Sequence, residues 1–335
     1  MKAIAYIQHG LPIDDPLALV DVELPDPAPG PRDLLVEVRA VSVNPVDTKV
    51  RRGSPTQAPR VLGWDAAGVV RAVGAQVTLF KPGDEVFYAG SITRPGSNSE
   101  LHLVDERIVG RKPHSLDFGQ AAAMPLTAIT AWELLFDRLG VPEGGGEGQS
   151  LLVVGAAGGV GSMLTQLARR LTKLQVIGTA SRDETRQWVR ELGAHEVVDH
   201  SQPLAAALQR AGVGLVSHVA SLTHTDAHYE QIVEALQPQG RLGLIDDPQR
   251  LDALPLKRKS LSLHWELMFT RPMFETPDMA RQHALLTRVA DLVDDGTLRT
   301  TLGEHFGTID AANLRRAHAL IESNRARGKV VLEGF

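Results

Sequence analysis

The spacing of hydrophobic and polar positions changes along the chain, and the change divides it. In the first third, apolar residues alternate with polar ones. Leu34-Leu-Val-Glu-Val-Arg-Ala-Val41 has the period of a half-buried strand, and Gly68-Val-Val-Arg-Ala-Val-Gly74 reads as another. Lys81-Pro-Gly-Asp84 has turn chemistry and leads into a strand at 85–88. Near Asp117 the texture shifts. Residues 121–139 read as helix, broken early by Pro125, and Gly144-Gly-Gly146 as a loop. Strands at 151–154, 175–179, 196–199, 215–220 and 241–245 then alternate with helices at 162–171, 184–192 and 229–236. Such alternation predicts an α/β fold with a doubly wound parallel sheet, and 260–265 reads as a further strand at its edge. Two helical stretches (279–294 and 311–324) and a strand at 329–332 close the chain.

The run Leu151-Leu-Val-Val-Gly-Ala-Ala-Gly-Gly-Val-Gly-Ser162 stands at the first of these strand-to-helix passages. Its centre, Ala156-Ala-Gly158-Gly159-Val160-Gly161, is a G-x-G-x-x-G pattern with Ala at the first glycine. Gly158 lets the backbone approach a pyrophosphate, Gly161 lets the helix pack closely on the strand, and the helix N-terminus receives the phosphates. Because strand and helix flank the pattern, it predicts dinucleotide binding rather than an ordinary β-α turn. A carboxylate that accepts from the ribose 2′-hydroxyl of NAD is expected at the end of the next strand. Here the strand ends in Ala180, followed by Ser181 and Arg182. Ala180 does not repel a 2′-phosphate, and Arg182 and Ser181 can bind one, so NADPH is the expected cofactor. Asp183 and Glu184 read as first-turn residues of the following helix, favoured by its dipole.

The chain has 335 residues, enough for two domains, and is 43% hydrophobic and 22% charged. Its net charge is −5, which argues against nucleic acid as a partner. No apolar run approaches the ~20 residues of a membrane helix, and the N-terminus reads as a strand rather than a signal peptide. The count of 0 cysteines excludes disulfides and thiolate chemistry. A cytoplasmic protein acting on a small molecule is expected. His195 and His200 are spaced one residue too far apart for a zincin helix, and His224 and His228 read as a solvated pair.

Six motifs together resemble the medium-chain dehydrogenase/reductase superfamily, most nearly its zinc-free quinone oxidoreductase (ζ-crystallin-like) branch. They are Ser42-Val-Asn-Pro-Val-Asp47, Leu62-Gly-Trp-Asp-Ala-Ala-Gly68, Lys81-Pro-Gly-Asp-Glu-Val86, Pro125-Leu-Thr-Ala-Ile-Thr-Ala-Trp132, the glycine turn and Gly328-Lys-Val-Val-Leu332. The resemblance implies a β-rich GroES-like catalytic domain (1–124 and 267–335) and an inserted Rossmann domain (125–266), with the active site in a cleft between them. It implies further that Asn44 and Trp64 stand where zinc alcohol dehydrogenases have a cysteine and a histidine, with a third ligand position close to Pro125. Neither an amide, an indole nor a proline suits zinc, so no metal is expected. The cysteine-rich structural zinc lobe, expected between about 90 and 103 by the same correspondence, is absent too.

The resemblance places Asn44 and Thr127 near the reacting groups and the nicotinamide. It adds His200, Ile245 and Lys329 to the cofactor-contacting residues Ala156, Gly158, Gly159, Val160, Gly161, Ser181 and Arg182. Structural hydrogen bonding is the expected role of Asp47 and Asp65. Relatives carry a tyrosine a few residues after Asn-Pro-Val-Asp, where this chain has Ser54-Pro55-Thr56. No general acid is identified, and water is left as a proton source. The expected reaction is hydride transfer from NADPH to a quinone or α,β-unsaturated carbonyl. The alternatives are reduction of an enoyl thioester, alcohol or aldehyde dehydrogenase chemistry, and a non-catalytic NADPH-binding protein. Pairing of the edge strand between two copies predicts a homodimer.

Overall fold

The computed structural model describes all 335 residues. The chain divides into two compact units, one formed by Met1–Ile129 and Phe269–Phe335, the other by Thr130–Met268.

The first unit begins with β1 (Lys2–Tyr6), β2 (Val20–Glu23) and β3 (Asp33–Val43), followed by α1 (Pro45–Gly53), β4 (Arg60–Val61), β5 (Ala66–Val73), β6 (Glu85–Tyr88), β7 (Leu101–Asp105) and β8 (Val109–Arg111). α2 (Phe118–Ala122) and α3 (Pro125–Trp132) complete its N-terminal part. β1 lies between β2 and β4 in a small antiparallel sheet. β3 organises the large sheet. It pairs with β5 along most of its length and with β7 through its first half. The alternation of 34–41 produces this: Leu34, Val36 and Val38 are buried while Glu37 and Arg39 point outward.

The segment at 90–103 is a tight loop clamped by backbone bonds from Gly96, Ser97 and Asn98 to Val61, Gly63 and Leu62. Gly96 is needed there, because a Cβ on it would lie 2.3 Å from the carbonyl carbon of Leu62. His102, bonded to the Tyr88 hydroxyl at 3.1 Å and the Pro95 carbonyl at 3.0 Å, anchors the loop.

In the second unit, β9 (Ser150–Val154), α4 (Gly159–Leu171), β10 (Gln175–Thr179), α5 (Asp183–Glu191), β11 (Glu196–Val198), α6 (Leu204–Arg210), β12 (Val216–Ser221), α7 (Thr225–Ala235), β13 (Leu236–Leu244), α8 (Leu254–Lys257) and β14 (Ser262–Trp265) alternate. The six strands form one parallel sheet in the order β11-β10-β9-β12-β13-β14. Every residue of β9 is buried, as in a sheet covered on both faces. Leu152, Val154, Ile177, Val219, Leu242 and Leu244 pack with Leu208 and Ile232 into one core. The helix expected at 121–139 is three pieces: α2, α3 and a π-helical turn at Glu133–Arg138. The 195–200 stretch contains strand β11, so His195 and His200 share no helix face.

The chain then returns to the first unit with α9 (Thr270–Phe274), α10 (Arg281–Asp294), β15 (Leu302–His305), α11 (Ala311–Glu322) and β16 (Lys329–Glu333). β16 pairs antiparallel with the second half of β3, Val330 facing Val43. That register brings Lys329 to Asn44.

Candidate active site

Asn44 ends β3 and precedes Pro45, which is tolerated at a helix start because its missing N–H would have no intrahelical acceptor. The Asn44 N–H donates to Asp47 Oδ2 at 2.7 Å, which ties the entrance of α1, and Asp47 Oδ1 accepts from Gly63 N at 2.9 Å. The Asn44 side chain points inward, 1% exposed. Its Nδ2 donates to Asp65 Oδ2 at 2.9 Å and its Oδ1 accepts from Lys329 Nζ at 2.7 Å. Lys329 uses its other hydrogens on Asp65 Oδ2 (2.9 Å) and the Val43 carbonyl (3.1 Å). Asp65 Oδ1 accepts from the Leu126 N–H at 2.7 Å, which fixes the start of α3. Thr127 follows, 2% exposed, with its hydroxyl bonded to the Met124 carbonyl at 3.0 Å.

Three segments far apart in sequence thus meet on one buried ammonium. Burial pushes the Asp65 carboxyl up, and the Lys329 charge and the Leu126 N–H oppose it. Asp47 lacks a cation within bonding reach, and burial pushes it up to about 7. The hydrogen-bonding groups of Asn44 are engaged inside this network, so contact with a substrate requires exchange of one partner.

The donor set does not fit zinc. At the three corresponding positions stand an amide already held by a lysine, the Trp64 indole, whose Nε1 donates to the Ser91 carbonyl at 3.2 Å, and a proline. The cation bound by Asp65 is Lys329.

The second unit carries the glycine turn. β9 ends at Val154, Gly155 takes φ +84°, and Gly158 is the N-cap of α4. The glycines have different tasks. A Cβ on Gly161 would lie 2.4 Å from the Gly155 oxygen and 2.6 Å from Ala156 Cα, so helix and turn touch there. A Cβ on Gly158 would meet nothing closer than the Gly155 oxygen at 3.6 Å. The protein's own packing tolerates a methyl group at Gly158, and its absence leaves a cradle in front of the turn. The first-turn N–H groups of Gly159, Val160 and Gly161 have no intrahelical acceptor by position. Ala156 is buried, while Gly158, Gly159 and Val160 are half-buried at the rim. This geometry fits a dinucleotide.

β10 runs beside β9, and Ala180 beyond its end is buried with its N–H bonded to the Val198 carbonyl at 3.0 Å. Ser181 and Arg182 are exposed, and Arg182 is the N-cap of α5. Asp183 and Glu184 occupy its first turn. Thr179 pairs with Val198, so His200 lies two residues beyond β11 alongside Ser181. Ile245, half-buried, follows β13 and bonds the Ser221 carbonyl at 3.4 Å, at the same end of the sheet. Arg186, one turn beyond Arg182 on α5, is a further cation at this end of the sheet. It donates to the Ala180 carbonyl at 3.2 Å and to Asp199 at 3.0 Å. The i, i+4 spacing of two arginines on an expected helix is the signal that identifies it.

The structure brings Asn44 and Lys329 together, and sets Thr127 next to Leu126, whose N–H holds Asp65. In the other unit it gathers Ala156, Gly158, Gly159, Val160, Gly161, Ser181, Arg182, His200 and Ile245 at the C-terminal ends of the parallel strands.

The alcohol dehydrogenase GroES-like domain family matches residues 30–121, and the zinc-binding dehydrogenase family matches residues 192–332. A zinc-type alcohol dehydrogenase-like protein of Staphylococcus aureus is 42% identical over 91% of this chain and 92% of its own. A quinone oxidoreductase of Pseudomonas aeruginosa is 34% identical over 91% of this chain and 92% of its own. A solved structure from Rhizobium etli, assigned to the zinc-dependent alcohol dehydrogenases, is 59% identical over 100% of this chain and 98% of its own, with a TM-score of 0.96. The Escherichia coli quinone oxidoreductase complexed with NADPH superposes with a TM-score of 0.84 at 26% identity, over 99% of this chain and 100% of its own. No helix is long and apolar enough to cross a membrane.

Proposed function

Because the chain belongs to the medium-chain dehydrogenase/reductase superfamily, we propose that this oxidoreductase is NADPH-dependent and zinc-independent, and that it reduces a quinone or an α,β-unsaturated carbonyl. One observation carries the reading: the place of the first catalytic zinc ligand is held by an amide locked between Lys329 and Asp65. An alkoxide-like transition state needs concentrated charge stabilisation, which this donor set does not give. A conjugated acceptor delocalises the incoming charge, so positioning supplies much of the catalysis.

When bound, the nicotinamide supplies the hydride. The N–H groups of Gly159, Val160 and Gly161 hold the pyrophosphate, with Ala156 and Gly158 shaping the turn beneath it. Ser181 and Arg182 bind the 2′-phosphate, which meets no carboxylate at Ala180. His200 flanks the same phosphate, and Ile245 contacts the cofactor at the end of β13. Asn44 and Thr127 serve the reacting end. Lys329, a cofactor contact by the resemblance, has its Nζ bonded to Asn44, Asp65 and the Val43 carbonyl, so we assign it with Asp65 a positioning role through Asn44.

The protein acts in the cytoplasm as a homodimer that pairs two copies of β14, whose Trp265 is 51% exposed at the free sheet edge. The test of the catalytic reading is NADPH oxidation measured over a panel of quinones, enones, aldehydes and alcohols. Turnover with quinones or enones supports the reading. Turnover confined to aldehydes and simple alcohols overturns it.

A further inference from the structure

Three histidines, of which only His200 enters the reading above, converge beside the glycine turn. His200 follows β11, and His224 and His228 belong to the start and first turns of α7. The rings of His200 and His228 meet edge to face with centroids 6.0 Å apart. The Nδ1 of each is shielded and has no hydrogen-bond partner, which leaves Nε2 as the group each can offer a ligand. His224 is exposed, held in the left-handed region at φ +53°, and its Nδ1 is bonded by the Thr223 hydroxyl at 2.8 Å. A non-glycine residue in that region is strained, so the turn after β12 is fixed in an unusual form.

The place of this turn is informative. A Cβ on Gly155 would meet Thr223 Cγ2 at 2.8 Å and Leu222 Cβ at 3.7 Å, so Leu222 and Thr223, which lead into His224, border the glycine turn. From the other side, the β10–β11 register sets His200 alongside Ser181. The three imidazoles therefore stand between the two limbs of the dinucleotide site. The surrounding charges come from every neighbouring element. Asp199 and Arg186 pair beside His200, Arg182 opens α5, Asp226 lies in the first turn of α7, and Asp246 accepts from the Thr225 N–H.

We propose that His224 and His228, together with His200, are cofactor-specificity residues that face the adenosine 2′-phosphate, and that proton uptake by His200 and His228 makes NADPH preferred more strongly as pH falls. This rests on the NADPH reading above. Without ligand, burial and the mutual proximity of the rings hold His200 and His228 below the ordinary histidine range. A dianion placed beside these two rings reverses the balance, and His200 and His228 take up protons as it binds. NADH lacks that group and draws no protons.

The test is binding, read by nucleotide fluorescence and by calorimetry in buffers of different ionisation enthalpy, between pH 6.5 and pH 8.5. Each proton taken up on binding steepens the affinity by up to tenfold per pH unit. The expected result is net proton uptake with NADPH and none with NADH. NADPH affinity should rise several-fold per unit as pH falls, the slope should be lost in His200→Gln/His228→Gln, and His224→Gln should weaken NADPH several-fold while leaving NADH unchanged. The second ionisation of the phosphate itself, near 6, is common to all variants and cancels in the comparison. Melting curves identify a variant that fails to fold, and the single variants His200→Gln and His228→Gln, each expected to lower the proton uptake, then carry the test. A preference for NADPH that is flat with pH, or a slope unchanged by the substitutions, overturns the inference and leaves the NADPH reading standing. Equal affinity for NADH and NADPH at every pH overturns that reading instead.

Discussion

Lys329 Nζ lies 2.7 Å from Asn44 Oδ1 and joins the last strand of the chain to the residue that opens its first helix. The same ammonium neutralises Asp65, which is 0% exposed. Removing one partner of a buried pair strands the other's charge, at a cost of about 3–5 kcal/mol. Lys329→Met should therefore lower stability by that order in urea unfolding. The double variant Lys329→Met/Asp65→Asn should lose clearly less than the sum of the two single losses. Additive losses would show that the pair is not coupled.

The two glycines of the turn should respond in opposite ways. Gly161→Ala forces a Cβ within 2.4 Å of the Gly155 oxygen, and overpacking of this kind costs about 1–3 kcal/mol. Gly158→Ala has room in the empty protein. It should keep the wild-type melting temperature yet weaken NADPH by about tenfold or more, because the methyl group stands where the pyrophosphate approaches. Wild-type affinity in Gly158→Ala would remove that glycine from the site.

Arg182→Ala should weaken NADPH about ten- to a hundredfold, the value of a charge-assisted contact, and leave NADH almost unchanged. Nucleotide titration decides this. Equal losses for both nucleotides would place Arg182 in the fold rather than at the phosphate.

A second buried charge cluster sets a dependence of stability on pH. Glu266 follows β14, is 3% exposed, and pairs with Arg138 at 2.7 Å. Burial first, and then the Glu133 carboxylate, push its carboxyl up to about 9 from an ordinary 4.5. The folded state then holds a proton that the unfolded state releases. The contribution is complete below about 4.5 and declines as pH rises through the interval to about 9. The urea midpoint should fall between pH 6 and pH 9 in the wild type and stay nearer constant in Glu266→Gln. A wild-type midpoint that rises over this interval contradicts the assignment.

Much of this was legible from the residues, because it is local. The alternation of 34–41 marks β3, and Gly158 to Gly161 mark the strand-to-helix turn by their order alone. The helix expected at 229–236 begins instead at Thr225, where the Thr225 N–H and hydroxyl are held by Asp246, 21 residues away. The strand expected at 241–245 begins at Leu236. The π-helical turn at Glu133–Arg138 was not legible either, since no local pattern distinguishes it from the helix before it. The partners of Lys329 depend on the register of β16 on β3, across 285 residues. The meeting of His200 with His228 depends on how the loop after β11 lies against α7. Periodicity specifies which face of an element is buried, but not which distant polar group waits there.

The most direct measurement is quinone or enone reduction by protein dialysed against a chelator, with metal content counted in the same sample. Asn44, Trp64 and Pro125 give zinc no ligand set, so less than stoichiometric zinc and full NADPH-linked turnover before and after dialysis are expected. One tightly held zinc per chain, with activity lost on its removal and restored on its return, would contradict zinc independence.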